Sequence, residues 1–348
     1  MIAPVMRVVR SDLWIDPAFD EHFRQRPGVL LDVFPRRQPQ DAWPLLSQAH
    51  VYQCSAAKDE LPREWFVTQA LLQRCPQLLC VSSTGAGYDT IDVAACTQAG
   101  VVVVNQTGGN AVSVAEHTFG LLLGLSRRML ECDRRMRREL IVGRESVMGH
   151  EIRGKTLGIV GIGNVGTRVA ALAQAFGMEA VATDPLLEPT EIVRRGARPV
   201  PLDELLAVSD VVSLHCPRDA STLKMMDAAA FARMKRGALF ITTARGGIHD
   251  EAALEAALAS GQLAGAGLDV WDREPPPLDH PLLARDNVYA TFHTAGVTHE
   301  ARRNMATIAA VQILQVIAGE RPPRLVNPEA WPAFRARFAV VTQQPVTA

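Results

Sequence analysis

Three side chains of complementary chemistry follow short apolar runs in the second half of the chain: Arg245, Glu274 and His293. Such runs are typical of parallel strands, and α/β sheets bind ligands at the carboxyl ends of their strands. An arginine fork binds a carboxylate and polarises a neighbouring carbonyl, while an imidazole exchanges a proton with the alkoxide that forms. A carboxylate beside the imidazole orients it and favours its protonated form. The set suits hydride exchange between a 2-oxo acid and a 2-hydroxy acid, although each residue alone is more simply explained as a surface arginine, a loop acid or a strand-end histidine.

A glycine-rich turn, GIGNVG at 161–166, predicts a dinucleotide site. It follows an apolar strand that ends at Val160, and it begins a helix with apolar residues at helical intervals. Gly161 permits the tight turn, Gly163 lets the backbone approach a pyrophosphate, and Gly166 lets the helix pack on the strand. The helix directs free N–H groups and its positive dipole end at that anion. The glycine spacing alone is a weak signal, because an ordinary glycine-rich strand–helix turn shares it.

An acidic residue strengthens this interpretation. Asp184 ends a second predicted strand, 179–183, where a carboxylate accepts hydrogen bonds from an adenosine ribose. No arginine or lysine follows before Arg194, so a 2′-phosphate would meet an anion and no cation. NAD is therefore favoured over NADP.

The first half of the chain alternates apolar runs with helix-like segments, which predicts a parallel sheet covered by helices. The predicted strands are 6–9, 29–33, 50–54, 78–82 and 101–104, and the predicted helices are 17–26, 41–47, 62–73 and 91–98. The loop QTGGN at 106–110 interrupts this alternation and indicates a hinge or a binding loop.

After the glycine turn the alternation resumes and completes a doubly wound nucleotide domain. The further predicted strands are 197–200, 210–214, 238–243, 264–269 and 287–291. A helix at 250–259 has Asp250 as its cap and Gly261 at its end. The last predicted helix is 301–318, and the pattern after Pro328 predicts no element.

These elements predict an α/β protein of two Rossmann-like doubly wound domains with a cleft between them. Because the last helix lies beyond the nucleotide domain, we expect it to pack on the N-terminal half, which makes the smaller domain discontinuous. The predicted domains are a substrate (catalytic) domain of 1–107 plus 295–335 and an NAD-binding domain of 108–294.

A long helix is predicted from Ser113 to about residue 140, and its second half is basic. The arginines are Arg127, Arg128, Arg134, Arg135, Arg137 and Arg138. A nucleic-acid patch is one interpretation, but interspersed acidic residues and the near-zero net charge favour a solvated or subunit-facing helix end. Apolar residues persist there too, namely Met129, Leu130, Met136, Leu140 and Ile141, and they predict a homodimer formed through 113–155.

Composition argues against several classes of protein. A net charge of −1 gives no general attraction to nucleic acid or to an anionic membrane, and no apolar run reaches the ~18 residues that span a bilayer. The first residues lack the apolar run and cleavage site of a signal peptide. The six cysteines show no C-x-x-C pair, and nothing resembles a metal-ligand cluster, so we expect reduced thiols in a cytoplasmic protein without a metal site.

Several motifs together resemble the D-isomer-specific 2-hydroxyacid dehydrogenase family, which includes phosphoglycerate, glyoxylate and hydroxypyruvate members. The resemblance covers roughly residues 50–327. Its motifs are STGAGYD at 83–89, SVAEH at 113–117, GIGNVG at 161–166, ARGGIHDE at 244–251, GAGLDV at 265–270 and HTAG at 293–296. In combination these motifs are highly specific.

The resemblance implies Arg245, Glu274 and His293 as the catalytic set, with backbone N–H groups of Gly85 and Ala86 also binding the substrate carboxylate. It implies NAD as the cofactor and a small 2-oxo or 2-hydroxy acid as the substrate. The implied cofactor contacts are Gly161, Gly163, Gly166, Asn164 and Val165 around the pyrophosphate, Asp184 and Cys216 at the adenosine half, Thr243, Ala244 and Asp269 at the nicotinamide end, and Ala86, Arg245, His293 and Gly296 as further contacts.

The chain departs from the family pattern at several positions. Phe292 and Thr107 stand where prolines are common, which affects loop shape and substrate choice without removing a reactive group. Phosphoglycerate-type members carry arginines at the positions of Cys54 and Ser83. A non-phosphorylated substrate such as glyoxylate or hydroxypyruvate is therefore favoured over 3-phosphoglycerate, although Lys58 remains within possible reach of a phosphate. NAD-sensing transcriptional corepressors share this fold and site, so a binding protein is the alternative from another class.

Overall fold

The computed structural model describes residues 5–24, 26–138 and 143–343. The chain forms two compact units: the first unit comprises residues up to Asn110 and from Thr298 onward, and the second unit is Ala111–Val297. Within the described ranges, no helix is both long enough and apolar enough to cross a membrane.

Strands and helices alternate along most of the chain. The strands are β1 (Met6–Ser11), β2 (Val29–Phe34), β3 (Val51–Ser55), β4 (Cys80–Thr84), β5 (Val102–Val104), β6 (Thr156–Val160), β7 (Glu179–Thr183), β8 (Arg198–Pro199), β9 (Val211–Leu214), β10 (Ala238–Thr242), β11 (Leu263–Leu268) and β12 (Val288–Ala290). The helices are α1 (Ala18–Phe23), α2 (Ala42–Leu46), α3 (Gln69–Arg74), α4 (Val93–Gln98), α5 (Ala111–Ser126), α6 (Met129–Met136), α7 (Asn164–Ala175), α8 (Pro189–Arg194), α9 (Leu202–Val208), α10 (Ala228–Arg233), α11 (Glu251–Ala259), α12 (His299–Ile317) and α13 (Trp331–Thr342).

The first unit is built on a parallel sheet with the strand order β2-β1-β3-β4-β5. Strands β3 and β5 are buried at every position, as expected of parallel strands covered on both faces. Tyr52 and Trp65 lie in one of its core clusters, and Phe19 and Phe334 lie in the other. The predicted strands of this half are confirmed.

Two helices of the first unit differ from prediction. Helix α3 begins at Gln69, seven residues later than predicted, because Val67 is extended and pairs with Ile91 in an isolated bridge. Helix α13 was not predicted at all. Its buried residues Phe334 and Phe338 lie one helical turn apart, so a tail without an obvious pattern still buries one face of a helix.

The second unit is built on a seven-stranded parallel sheet with the order β12-β11-β10-β9-β6-β7-β8. The chain runs outward from β6 through β7 to β8, and then returns to the other side of β6 with β9. The strand order therefore reverses between β6 and β9, the point at which doubly wound sheets bind nucleotides. The α/β class with Rossmann-like parallel sheets is confirmed.

The predicted long helix is interrupted, and this prediction was wrong. Helix α5 ends at Ser126, and α6 begins after Arg128, whose φ of 52° is left-handed. A later segment crosses the break: the His150 N–H donates to the Ser126 carbonyl at 2.7 Å, and a Cβ on Gly149 would collide with that same oxygen. The contact between distant segments, rather than the local pattern, ends α5.

The arginines that follow α5 are largely paired with acids. Arg128 binds Glu131 through two nitrogens, and Arg137 pairs with Asp133. This pairing supports a solvated helix end over a nucleic-acid patch. Leu140 and Ile141, which the dimer prediction also used, lie outside the described residues.

Candidate active site

The glycine-rich turn joins β6 to α7 in the second unit. Gly161 has a φ of +88°, and a Cβ there would lie 2.7 Å from the Cys216 backbone nitrogen, so only glycine fits. A Cβ on Gly166 would collide with the Gly161 carbonyl oxygen. A Cβ on Gly163, by contrast, would meet nothing within 4 Å. The turn is thus tightly packed on its inner side and open at Gly163, which fits the approach of a pyrophosphate to the backbone.

Asp184 follows β7 and is fixed next to this turn. One carboxylate oxygen accepts the Ile162 N–H at 3.0 Å, and the other accepts the Leu186 N–H at 3.1 Å. Each oxygen keeps a second lone pair for a ribose hydroxyl. Cys216 follows β9 beside Gly161, and burial raises the pKa of its thiol to about 11, so its side chain is neutral.

The three candidate catalytic residues lie just beyond the ends of three strands. Arg245 follows β10, Glu274 follows β11, and His293 follows β12. These strands are neighbours in the sheet, so their carboxyl ends lie side by side. The structure therefore brings together three residues that are widely separated in the sequence.

Glu274 and His293 form a direct pair. His293 Nδ1 lies 2.8 Å from Glu274 Oε2, and the Trp271 N–H donates to Glu274 Oε1 at 3.1 Å. Burial pushes the pKa of Glu274 upward, but the hydrogen bond and charge of His293, the Trp271 N–H and the charge of Arg245 together hold it below the ordinary value. Glu274 is thus a carboxylate in the pH range where an imidazole titrates.

Close packing of the strand-end loops fixes this pair. A Cβ on Gly246 would collide with the Trp271 carbonyl, so glycine lets the loop after β10 lie directly against the loop after β11. His293 itself has a left-handed φ of 53°, a rare conformation for a residue with a side chain. Its N–H donates to the Asp269 carbonyl at 2.8 Å, which fixes the backbone there.

Asp269 organises the loop that carries His293. Its side chain is fully buried and accepts from the Thr294 N–H at 2.8 Å, the Ala295 N–H at 2.9 Å and the Thr291 hydroxyl at 2.5 Å. The cofactor contact that the resemblance implies for Asp269 stays a prediction, and in the structure its carboxylate accepts from its own loop. Of the other residues for which the resemblance implies a cofactor contact, Thr243 and Ala244 are buried after β10 and Gly296 is half-buried after the histidine loop.

Sequence reasoning assigned no role to two residues behind this loop. His117, from α5, places Nε2 at 3.1 Å from the Thr291 hydroxyl and 3.7 Å from Asp269 Oδ1. Trp271 donates its indole N–H to the Thr291 carbonyl at 3.1 Å. The position of His117 in the SVAEH motif could have indicated that it lies at the site. For Trp271 the sequence offered only its closeness to Glu274 in the chain.

The loop implied to bind the substrate carboxylate lies in the first unit. Gly85 has a φ of +86°, and its N–H donates to Gln106 Oε1 at 2.7 Å. Asn105 donates to the Ala86 carbonyl at 2.8 Å. Ala86 is exposed at the tip of the loop. The Gly85 N–H, one of the two N–H groups expected to bind the substrate, is therefore already hydrogen-bonded to Gln106 in this structure.

The two positions at which phosphoglycerate-type members carry arginine are neutral and buried in the first unit. Cys54 is 3% exposed, and burial raises the pKa of its thiol to about 12. Ser83 is fully buried, and its hydroxyl donates to the Gly87 carbonyl at 2.7 Å. Neither residue presents a charge to a phosphate.

Comparisons with known proteins agree with this architecture. The model of the D-isomer specific 2-hydroxyacid dehydrogenase NAD binding domain matches residues 119–295. D-3-phosphoglycerate dehydrogenase of Archaeoglobus fulgidus is 41% identical over 75% of this chain and 49% of that protein, so the chain spans about half the length of this relative. Glyoxylate reductase of Korarchaeum cryptofilum is 39% identical over 74% of this chain and 79% of that protein. The crystal structure of a glyoxylate reductase from Paecilomyes thermophila superposes with a TM-score of 0.82 at 29% identity, covering 94% of this chain and 99% of that one.

The chain belongs to the D-isomer specific 2-hydroxyacid dehydrogenase family. Its second unit is the NAD-binding domain, and the prediction of NAD as cofactor is confirmed at the level of the family.

Proposed function

We propose that this protein is an NAD-dependent oxidoreductase that interconverts a D-2-hydroxy acid and its 2-oxo acid, with a substrate of the glyoxylate or hydroxypyruvate type. The observation that carries the proposal is the 2.8 Å contact between His293 and Glu274, close enough to Arg245 for its charge to act on Glu274. An imidazole held by a carboxylate exchanges a proton, and a guanidinium binds a carboxylate. A 2-oxo acid needs both groups.

The residues that hold the cofactor follow from the open turn. Backbone groups of Gly163, Asn164 and Val165 would hold the pyrophosphate, and Asp184 would accept hydrogen bonds from the adenosine ribose. When bound, NADH supplies the hydride that adds to the carbonyl carbon of the substrate.

The protein's own side chains manage the proton and the charges. Arg245 binds the substrate carboxylate and polarises the keto oxygen. His293 protonates that oxygen as negative charge develops, and takes the proton back in the reverse direction. Glu274 is a positioning residue, because its bond to Nδ1 leaves Nε2 as the nitrogen that exchanges the proton. In the first unit, the Gly85 N–H would have to exchange its bond to Gln106 before it could donate to a substrate carboxylate.

A non-phosphorylated substrate is part of the proposal, since Cys54 and Ser83 are buried and uncharged. Steady-state rates with NADH should compare glyoxylate, hydroxypyruvate and 3-phosphohydroxypyruvate. We expect kcat/KM to be higher for hydroxypyruvate than for its phosphorylated form. A preference for the phosphorylated substrate would overturn this assignment and favour a phosphoglycerate dehydrogenase. Binding of NADH without turnover of any 2-oxo acid would favour the NAD-sensing binding protein.

Replacing Glu274 by glutamine tests the pairing through pH. The hydrogen bond and charge of His293 help to lower the pKa of Glu274, so Glu274 is charged, and the proposed pairing requires that charge to stabilise the proton-carrying form of the catalytic acid. The amide keeps the shape without the charge, so Glu274→Gln should lose reductase activity at a lower pH than the wild type. The measurement is kcat for reduction against pH with saturating NADH, and Glu188→Gln, an exposed carboxylate of the same unit, is the control. Coincident profiles for Glu274→Gln and wild type would refute the pairing.

A homodimer formed through 113–155 is also proposed. Met129 is 57% exposed and Met136 is 83% exposed, more apolar surface than α6 should leave to water. Light scattering at micromolar concentration should give twice the chain mass of 37.8 kDa, and Met136→Glu should shift the mass toward the monomer. Leu278 is 98% exposed and lies outside 113–155, so Leu278→Glu should leave the mass unchanged. A monomeric wild type would exclude this dimer.

A cytoplasmic location is proposed on the state of the thiols. The six cysteines are free in the structure, and four of them are buried, as in proteins of reducing compartments.

A further inference from the structure

A small cavity lies next to the loop of the first unit that is expected to bind the substrate carboxylate. It has a volume of about 10 Å³ and is lined by residues from the segment after β1, from β3 and β4, from the segment after β5 and from α12. Thr84, which precedes Gly85 in the chain, and Gln106, which accepts the Gly85 N–H at 2.7 Å, are among them. Met305 of α12 also lines the cavity, and its sulfur lies 3.9 Å from the position that a Cβ on Gly85 would take. The cavity therefore adjoins Gly85.

Gln53 lines this cavity and has one hydrogen-bonding atom without a partner. It lies in β3 and is only 4% exposed. The Thr84 hydroxyl donates its proton to the Cys54 carbonyl at 3.1 Å, so its oxygen accepts from the Gln53 amide nitrogen at 2.8 Å. This bond fixes the orientation of the amide group and leaves Gln53 Oε1 buried without a donor among the described residues. Buried acceptors without a donor are rare, and they cost free energy until a donor satisfies them.

The charged residues of the cavity indicate which kind of donor fits. Arg302 of α12 is half-buried, and its guanidinium forms no ion pair or hydrogen bond with the described residues. Asp16 lines the cavity too, and one of its oxygens accepts the Ala18 N–H at 3.0 Å. Because a carboxylate and a guanidinium both line the cavity, a neutral group is favoured over an anion. A hydroxyl group can donate to Gln53 Oε1 and accept from Arg302, and a volume of about 10 Å³ holds one oxygen of this kind.

We propose that Gln53 and Arg302 form a subsite for a hydroxyl group on C3 of the substrate, so that the protein selects 3-hydroxy-2-oxo acids such as hydroxypyruvate over glyoxylate and pyruvate. Only C2 and C3 separate this hydroxyl from the carboxylate, so an acid bound to the Gly85 N–H can place it in the adjoining cavity. Gln53 and Arg302 are specificity-determining residues and take no part in the transfer of hydride or proton. The inference rests on the proposed function for the class of substrate.

The test compares two ligands that differ only in the C3 hydroxyl. Dissociation constants of D-glycerate and D-lactate are measured by calorimetry on the full chain with saturating NADH, so that no turnover takes place. The wild type should bind D-glycerate about tenfold more tightly, and Gln53→Leu should lose most of this difference, because leucine offers the hydroxyl no acceptor. Arg302→Met, which leaves the buried Gln53 in place, should also reduce the difference.

The matched controls are Gln48→Leu and Arg303→Met. Both replace exposed residues of the same unit that do not line the cavity, and Arg303 is adjacent to Arg302 in the chain. Both controls should keep the wild-type difference between the two ligands. Thermal unfolding of each variant establishes that it is folded.

Equal affinity of the wild type for D-glycerate and D-lactate would overturn the proposal and leave the cavity to a water molecule. Equal losses for both ligands in Gln53→Leu would also overturn it, since Gln53 would then only support the loop. If Gln53→Leu does not fold, an unchanged difference in Arg302→Met has the same meaning. Absence of turnover with every 2-oxo acid would count against the proposed function alone, because the binding measurement needs no turnover.

Discussion

His293→Ala is expected to lower kcat for 2-oxo acid reduction by about 10²–10⁴, the usual contribution of a positioned acid. His293 is the group that supplies the proton in the proposed mechanism, and its contact with Glu274 holds the imidazole in one orientation. NADH affinity should barely change, because the glycine turn and Asp184 are the residues proposed to hold most of the cofactor. The measurements are kcat with saturating NADH and the dissociation constant of NADH for the same preparation.

The control for this variant is His299→Ala. His299 is an exposed histidine at the start of α12, so its loss removes an imidazole without touching the proposed site. A kcat for His293→Ala within a factor of a few of wild type would show that another group donates the proton. A large loss of NADH binding would instead indicate a disrupted NAD-binding domain.

Arg245→Lys should lower kcat/KM for the 2-oxo acid by about 10²–10³, comparable to the loss of one oriented donor to a developing oxyanion. Lysine keeps the positive charge but lacks the planar fork that binds a carboxylate through two hydrogen bonds. A lysine has a single ammonium nitrogen, so it cannot occupy both positions of the fork. Steady-state kinetics at varied substrate concentration measure the effect.

Arg273→Ala serves as the matched control, since Arg273 is exposed and adjacent to Glu274 in the chain. Its removal takes away one positive charge near the site without removing the proposed carboxylate ligand, whereas Arg245→Lys keeps the charge and removes the fork. Unchanged kcat/KM in Arg245→Lys, or an equal loss in Arg273→Ala, would mean that general positive charge near the site matters and the fork does not.

The two sheets were predictable because a parallel strand covered on both faces is a continuous apolar run. Strands β3 and β9 are buried at every residue, and the sequence shows them directly. The cap of α11 was equally clear, since Asp250 accepts from the Ala252 and Ala253 N–H groups as predicted. The end of α5 could not be predicted, because it depends on the contact of Gly149 and His150 with Ser126, which no local sequence pattern encodes.

Part of the candidate active site could likewise be predicted from the sequence, and part could not. The meeting of Arg245, Glu274 and His293 follows from neighbouring strand ends, so motif positions and sheet order predict it. The direction of the Asp269 carboxylate does not follow from spacing, because a strand-end acid can face either a ligand or its own loop.

The proposed reaction is hydride transfer from NADH to the carbonyl carbon of a 2-oxo acid to give the D-2-hydroxy acid, and the fate of an isotope label distinguishes it from other reactions. The protein is incubated with hydroxypyruvate and NADH deuterated at both C4 positions of the nicotinamide, and the product is analysed by mass spectrometry and chiral separation. The wild type should form D-glycerate that carries one deuterium at C2, and His293→Ala should form almost none. Unlabelled product, the L isomer, or no product from any 2-oxo acid would contradict it.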